Sequence, residues 1–398
     1  MAEKSLSRGA ESIAVPLKIA KTLITQTQAG HRPPSPGLHQ RNPKVGSAQP
    51  TSLQPGIERS LPCPAPPQEQ LIHESAPIFD CFSAYQKTAA MQAAVDIGLF
   101  TAIAAGHTTA AATAKACNAS PKGVRVLCDY WSVNGLLTKS GNKYSLTPET
   151  AMFLDQKSPA YLGGVLGFLN GPLTSFFDEL TDAVRRGGAA GQGSVQPEFE
   201  GWVAFAQQMG AMMHPTAQAI AKMLGPVSGR ALDIAAGHGL FGIVLAQQNP
   251  DLKVVALDWP KVLEVAKRHA DKMGVGSRYS LIAGDAFTVD MQGPYDVILL
   301  TNLLHHFNPQ QCTALLKRIR AALRPPPHGK LGTLVFVPNA DRISPPLSAT
   351  FPLVMLATTA EGDAYTFAEL DGMLRAAGFS TNTLHQPEES PQQIIISE

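Results

Sequence analysis

Three carboxylates and a pair of histidines stand where chain patterning favours chemistry. Asp233 opens a run of small residues, Ala235-Ala236-Gly237-His238-Gly239, that continues to Gly242. Asp258 follows the apolar run Val254 to Leu257, Asp285 lies in Gly284-Asp285-Ala286-Phe287, and His305-His306 comes soon after Val297 to Thr301. Small residues between a strand and a helix let backbone approach a ligand, and the helix N-terminus favours an anionic group. Carboxylates accept hydrogen bonds from hydroxyls and amines, and histidine removes protons near neutral pH. Any one of these acids is equally an ordinary strand-end loop residue. Three at successive strand ends define one edge of a parallel sheet, where such sheets bind ligands.

Two cofactors compete for that edge. Gly237-x-Gly239-x-x-Gly242 has the spacing of a dinucleotide loop, and Asp258 would be its ribose acid, the pattern of an NAD-dependent oxidoreductase. Asp233 argues against it, because at the mouth of the loop its charge would face a pyrophosphate. S-adenosylmethionine has no phosphate and carries an ammonium. Its ribose offers two hydroxyls to Asp258 and its adenine an exocyclic amine to Asp285, with Phe287 beside the ring. The residues therefore favour S-adenosylmethionine.

The elements that must hold these groups alternate. Residues 231–236, 253–258, 279–283, 296–301 and 332–337 read as strands, and 240–248, 260–273, 309–323 and 366–377 as helices. Alternation of this kind predicts a parallel sheet covered on both faces, an α/β Rossmann-like domain over residues 229–398. A final pair, 381–385 and 392–397, closes the sheet as a hairpin and brings it to seven strands. Upstream, a short helix at 108–116, a helix opening at Pro121 and ending at Val133, and a hairpin at 136–146 predict a winged helix within a mostly helical unit, residues 76–180. A recognition helix should offer cations to phosphate, yet 121–133 sets Lys122 and Arg125 against Asp129, so a dimerising role is favoured over a DNA-binding, ligand-sensing regulator. Residues 181–228 read as a helical connector. Its helix over 199–224 carries Trp202, Phe205, Met209, Met212 and Met213; methionines at helical spacing are commonly plain core, and their place before the glycine loop turns these toward an acceptor pocket.

Composition bounds the rest. A chain of 398 residues with net charge +1 can fold two cores and has no polyanion-binding balance, so no nucleic acid partner is expected. No apolar run reaches the roughly 20 residues of a membrane span. Five scattered cysteines without a CxxC pair predict reduced thiols in a cytoplasmic protein and no metal site. Residues 1–75 are rich in Pro, Gln and Ser and are expected to be disordered, a plain leader more than a transit peptide.

The motifs resemble those of the class I O-methyltransferases related to plant caffeic acid and flavonoid enzymes and to acetylserotonin O-methyltransferase. Asp233 to Gly239 is similar to their first motif, Asp258-Trp259-Pro260 to Asp-Leu-Pro, Gly284-Asp285-Ala286-Phe287 to Gly-Asp-Met-Phe, and Leu304-His305-His306-Phe307 to Leu-His-Asp-Trp. The resemblance covers about residues 78–398 and implies a homodimer acting on a small molecule. It implies cofactor contacts at Asp233, Ala235, Gly237, Gly239, Asp258, Trp259, Asp285, Ala286, Phe287 and Thr301, the last where the family has a lysine, and a catalytic base at His305. Trp202, Met209, Met213 and Met355, with residues 351–359, would line the acceptor pocket, and Phe82 its rim. Two departures matter. Ala235 stands for a loop glycine, and the family's two acids flanking the histidine fall in residues 334–336 and at Ala364, leaving Glu361 or Asp363 as substitutes. O-methylation of an aromatic or polyketide-like metabolite is the expected reaction; C- or N-methylation, or cofactor use without transfer, are the alternatives within the fold.

Overall fold

In the computed structural model, residues 68 to 398 other than Glu198 and Glu389 are described, with side chains from Pro77 onward. Residues 1–67 of the expected leader lie outside the described residues. Residues 68–75, also expected to be disordered, are helical: α1 (Gln68–Asp96) starts just after Pro66-Pro67, where prolines give way to Gln, Glu, Leu and Ile. After it come α2 (Leu99–Ala104), α3 (Ala110–Ala116) and α4 (Pro121–Val133). Thr109 caps α3 by accepting from the Ala112 N–H at 3.3 Å, and Pro121 opens α4 where no N–H is needed. The antiparallel hairpin β1 (Leu137–Ser140) and β2 (Lys143–Leu146) and α5 (Pro148–Phe153) complete this unit. Its core holds Phe100, Trp131 and Tyr144, each about 1% exposed.

Short helices follow: α6 (Val165–Leu169), α7 (Thr174–Asp178) and α8 (Leu180–Arg186). The single helix expected over 199–224 is two, α9 (Gly201–Gln208) and α10 (Gly210–Leu224), parted at Met209. Gly210 carries a low helical preference, and Pro215 supplies no N–H to the first turn of α10, so continuity is weakest there.

The second unit runs β3 (Gly229–Ile234), α11 (Leu240–Gln248), β4 (Leu252–Asp258), α12 (Pro260–Lys272), β5 (Tyr279–Ala283), β6 (Val297–Thr301), α13 (Pro309–Ala322) and β7 (Lys330–Val335). It ends with α14 (Pro346–Thr350), α15 (Pro352–Thr358), α16 (Phe367–Ala376), β8 (Asn382–His385) and β9 (Gln393–Ser397). The seven-stranded order is β5-β4-β3-β6-β7-β9-β8, parallel except for β9, which runs against both neighbours. All five residues of β6 are buried, as an interior strand with both faces covered requires. Strand order reverses between β3 and β6, so the carboxyl ends of β3, β4 and β6 open a crevice there.

Candidate active site

One cavity of about 760 Å³ fills that crevice and extends under α9, α10 and α15. Its sheet-side wall begins at the loop after β3. Ala235 adopts φ 54°, Gly237 φ 54° and Gly239 φ 73°, a left-handed run in which Ala235 is the strained member. Asp258, at the end of β4, holds this loop: Oδ2 accepts from the Gly237 N–H at 2.8 Å, and Oδ1 from the Trp259 N–H at 2.7 Å. Burial raises its pKa to about 6, against the pull of those two N–H donors. Asp285 follows β5 and accepts from the Phe287 N–H at 2.9 Å. Arg318 of α13 steadies the same loop from behind, donating to the carbonyls of Ala286 at 3.3 Å and Val289 at 2.5 Å.

Ala235, Gly237, Asp258, Trp259, Asp285, Ala286, Phe287, Thr301 and His305 all face this cavity, as do Trp202, Met209, Met213 and Met355. Two expected cofactor residues do not. Asp233 is 0% exposed and lies beneath the loop, where Oδ2 accepts from the Gly242 N–H at 3.0 Å. It is not at the mouth: it pairs with Ala256 and Leu299 inside the sheet, and burial pushes its pKa to about 8. Gly239 also faces inward, for a Cβ there would sit 2.6 Å from the Tyr279 hydroxyl; close packing requires this glycine. Phe82 is 69% exposed on α1 and is absent from the cavity wall.

The far wall is aromatic. His305 and His306 lie in a 3₁₀ turn, 4% and 8% exposed, their rings 4.5 Å apart. This tight turn brings both histidines to the cavity. The His305 and Phe351 rings meet edge to face with centroids 4.8 Å apart, Phe351 stacks on Phe336 at 4.1 Å, and His306 meets Trp202 at 5.3 Å. Burial, with a smaller effect from His306, holds the His305 pKa well below the imidazole range, and burial holds His306 at about 4. Nδ1 of each ring is buried without a hydrogen-bond partner among the described residues. Neither substitute acid orients His305: Asp363 pairs with Arg342 at 3.6 Å, and Glu361 accepts from Asn308 Nδ2 at 2.6 Å.

Several cavity residues carried no sequence signal. Phe168 comes from short α6, far along the chain, and meets Phe205 at 5.3 Å. Asn302 stands at φ 56° just before the histidine turn. His238 lay in plain view within the glycine loop; it is 1% exposed, its Nδ1 accepts from the Leu240 N–H at 3.1 Å, and its ring stacks on Phe205 at 5.8 Å. Segment 187–195 closes one side, since a Cβ on Gly188 or Gly193 would lie about 2 Å from the carbonyls of Ala360 or Thr358. Trp202 ties to it by donating from Nε1 to the Ser194 carbonyl at 3.0 Å.

Carboxylates at strand ends, a left-handed small-residue loop and a wall without lysine or arginine among the described residues suit an adenosine cofactor that lacks phosphate. Together with the sheet order, they define an S-adenosylmethionine-dependent methyltransferase. The O-methyltransferase domain profile matches residues 206–380, and the O-methyltransferase dimerisation domain profile matches residues 79–156. A solved structure from Nostoc punctiforme, described as a candidate O-methyltransferase, is 46% identical, with TM-score 0.78, covering 81% of this chain and 98% of that one. The tetracenomycin polyketide synthesis 8-O-methyl transferase of Streptomyces glaucescens is 28% identical over 306 residues, 75% of this chain and 89% of its own. Human N-acetylserotonin methyltransferase, solved with S-adenosylmethionine, shares the fold at TM-score 0.71 and 22% identity, covering 84% of this chain and 99% of that one. The chain belongs to the S-adenosylmethionine-dependent O-methyltransferase family.

Among the described residues, no helix is long and apolar enough to cross a membrane, and no cluster of three His, Cys, Asp or Glu could hold a metal ion. Cys81, Cys117, Cys128 and Cys312 are unbridged.

Proposed function

We propose that this chain methylates a hydroxyl on a small, apolar aromatic or polyketide-like acceptor, with His305 taking the hydroxyl proton. The observation that carries this reading is the joint wall of one cavity, where Asp258 and Asp285 stand at the sheet end and His305 among aromatic and methionine side chains at the other. In the reading, Asp258 accepts from both ribose hydroxyls, while Asp285 accepts from the adenine amine beside Ala286 and Phe287. Ala235, Gly237, Trp259 and Thr301 complete the cofactor wall. The cofactor supplies a methyl group activated by its sulfonium. His305 receives the proton as the acceptor oxygen bonds to that methyl and the thioether departs. Trp202, Met209, Met213 and Met355 hold the acceptor's apolar body and exclude water. The Streptomyces glaucescens relative, named for a polyketide, supports this acceptor class. Residues 79–156, matched by the dimerisation profile, support a homodimer. A unit over 76–180, a connector over 181–228 and a catalytic domain over 229–398, acting in the cytoplasm, complete the proposal.

The test is incubation with methyl-labelled cofactor and a panel of phenolic and polyketide acceptors. Label on oxygen is the expected result; label on carbon or nitrogen alone overturns it.

A further inference from the structure

The cavity carries charge of one sign. Among the described residues its wall holds no lysine or arginine, and its charged side chains are the carboxylates of Asp258, Asp285 and Glu361. Asp258 and Asp285 stand at the sheet end, already accepting backbone N–H groups. Glu361 belongs to the reacting end, and packing fixes it there. A Cβ on its neighbour Gly362 would lie 2.3 Å from the His305 carbonyl oxygen, and Asn308 Nδ2 donates to one Glu361 oxygen at 2.6 Å. Glu361 is exposed, so it stands at the rim beside the histidine turn. His305 and His306 add no cation, because burial keeps both imidazoles neutral at neutral pH.

A carboxylate on the acceptor would lose its water with no positive side chain to replace it and would meet Glu361 as a like charge, whereas the cofactor's own carboxylate arrives with its ammonium beside it. An ammonium near the reacting hydroxyl would instead find an acceptor. We propose that the acceptor enters as an uncharged or cationic molecule, and that Glu361 is the residue that selects its charge. The proposal rests on the aromatic hydroxyl acceptor described above and narrows it.

Calorimetry on the full chain saturated with S-adenosylhomocysteine tests it with three probes on one ring: 3-hydroxy-2-naphthamide, 3-hydroxy-2-naphthoate and 3-(aminomethyl)-2-naphthol. The naphthoate should bind about tenfold more weakly than the amide, and the amine several-fold more tightly. Glu361→Gln should erase the amine's advantage and leave amide binding within about twofold, since a rim charge acts on charged partners only. Glu361→Lys should draw the naphthoate up to the amide. Equal binding of naphthoate and amide to the unmodified protein overturns the charge selection while the acceptor class stands. An amine advantage that survives Glu361→Gln overturns the role of Glu361. Failure of all three probes, with S-adenosylhomocysteine still bound, overturns the aromatic-acceptor reading itself.

Discussion

His305 meets Phe351 and His306 in a buried setting where the family resemblance implies carboxylates, at positions falling in residues 334–336 and at Ala364, none of which is acidic. Without a carboxylate the imidazolium is disfavoured, so the neutral, proton-accepting form persists below the usual imidazole pKa. The rate with a phenolic acceptor should therefore stay level as pH falls through 6.5 and drop only below it. His305→Ala should lose about 10² to 10⁴ in turnover and lack that acid limb, with cofactor affinity nearly unchanged. A limb centred at 6.5, or one that survives the substitution, would contradict the assignment. Asp258 makes a second prediction. Losing the bidentate contact proposed between Asp258 and ribose would cost on the order of 2–3 kcal/mol, so Asp258→Ala should weaken S-adenosylhomocysteine binding by tens of fold in calorimetry. Asp258 and Asp285 were legible as cavity residues because each stands at the carboxyl end of a strand in one parallel sheet. Asp233 was not: it precedes the loop in sequence, but strand register sends its side chain under the loop and into the sheet.

At the scale of elements, the β3–α11 turn does most to shape the cofactor end. Gly239 combines φ 73° with a Cβ position 2.6 Å from the Tyr279 hydroxyl and 3.0 Å from Ala266 Cβ. Gly239→Ala should thus cost on the order of 1–3 kcal/mol from backbone strain and crowding. Thermal unfolding should shift down by several degrees, and an unchanged midpoint would show that the turn relaxes freely. Strands and helices of the second unit were readable to within two residues at most boundaries, because apolar runs and amphipathic stretches alternate without ambiguity. The division of α9 from α10 was harder to see. The apolar periodicity of 199–224 runs on across Met209, and the weak point is set by backbone preference at Gly210 and Pro215, which a periodicity argument does not weigh. Nor could α6 be connected to the site, since Phe168 reaches the cavity only through packing against α9.

On the scale of the whole molecule, two surfaces remain to be joined to the catalytic cavity. Along α1, Phe79, Phe82 and Tyr85 are 64%, 69% and 69% exposed, an apolar stripe within the region matched by the dimerisation profile. Phe82→Glu should shift light scattering from a dimer toward a monomer; a dimer of unchanged stability would move the interface elsewhere. Asp129 of α4 pairs with Arg125 of the same helix at 3.0 Å and with Lys139 of β1 at 2.6 Å, so these two cations are engaged within the unit itself.

The central claim is that one cavity brings the cofactor's methyl group and the acceptor's hydroxyl together beside His305. A crystal structure with S-adenosylhomocysteine and a methylated acceptor's parent phenol tests it most directly. The account predicts both ribose hydroxyls on Asp258, the adenine beside Asp285 and Phe287, and the phenol oxygen between the cofactor sulfur and the His305 ring. A ribose held away from Asp258, or a phenol oxygen out of hydrogen-bond reach of His305, would contradict it.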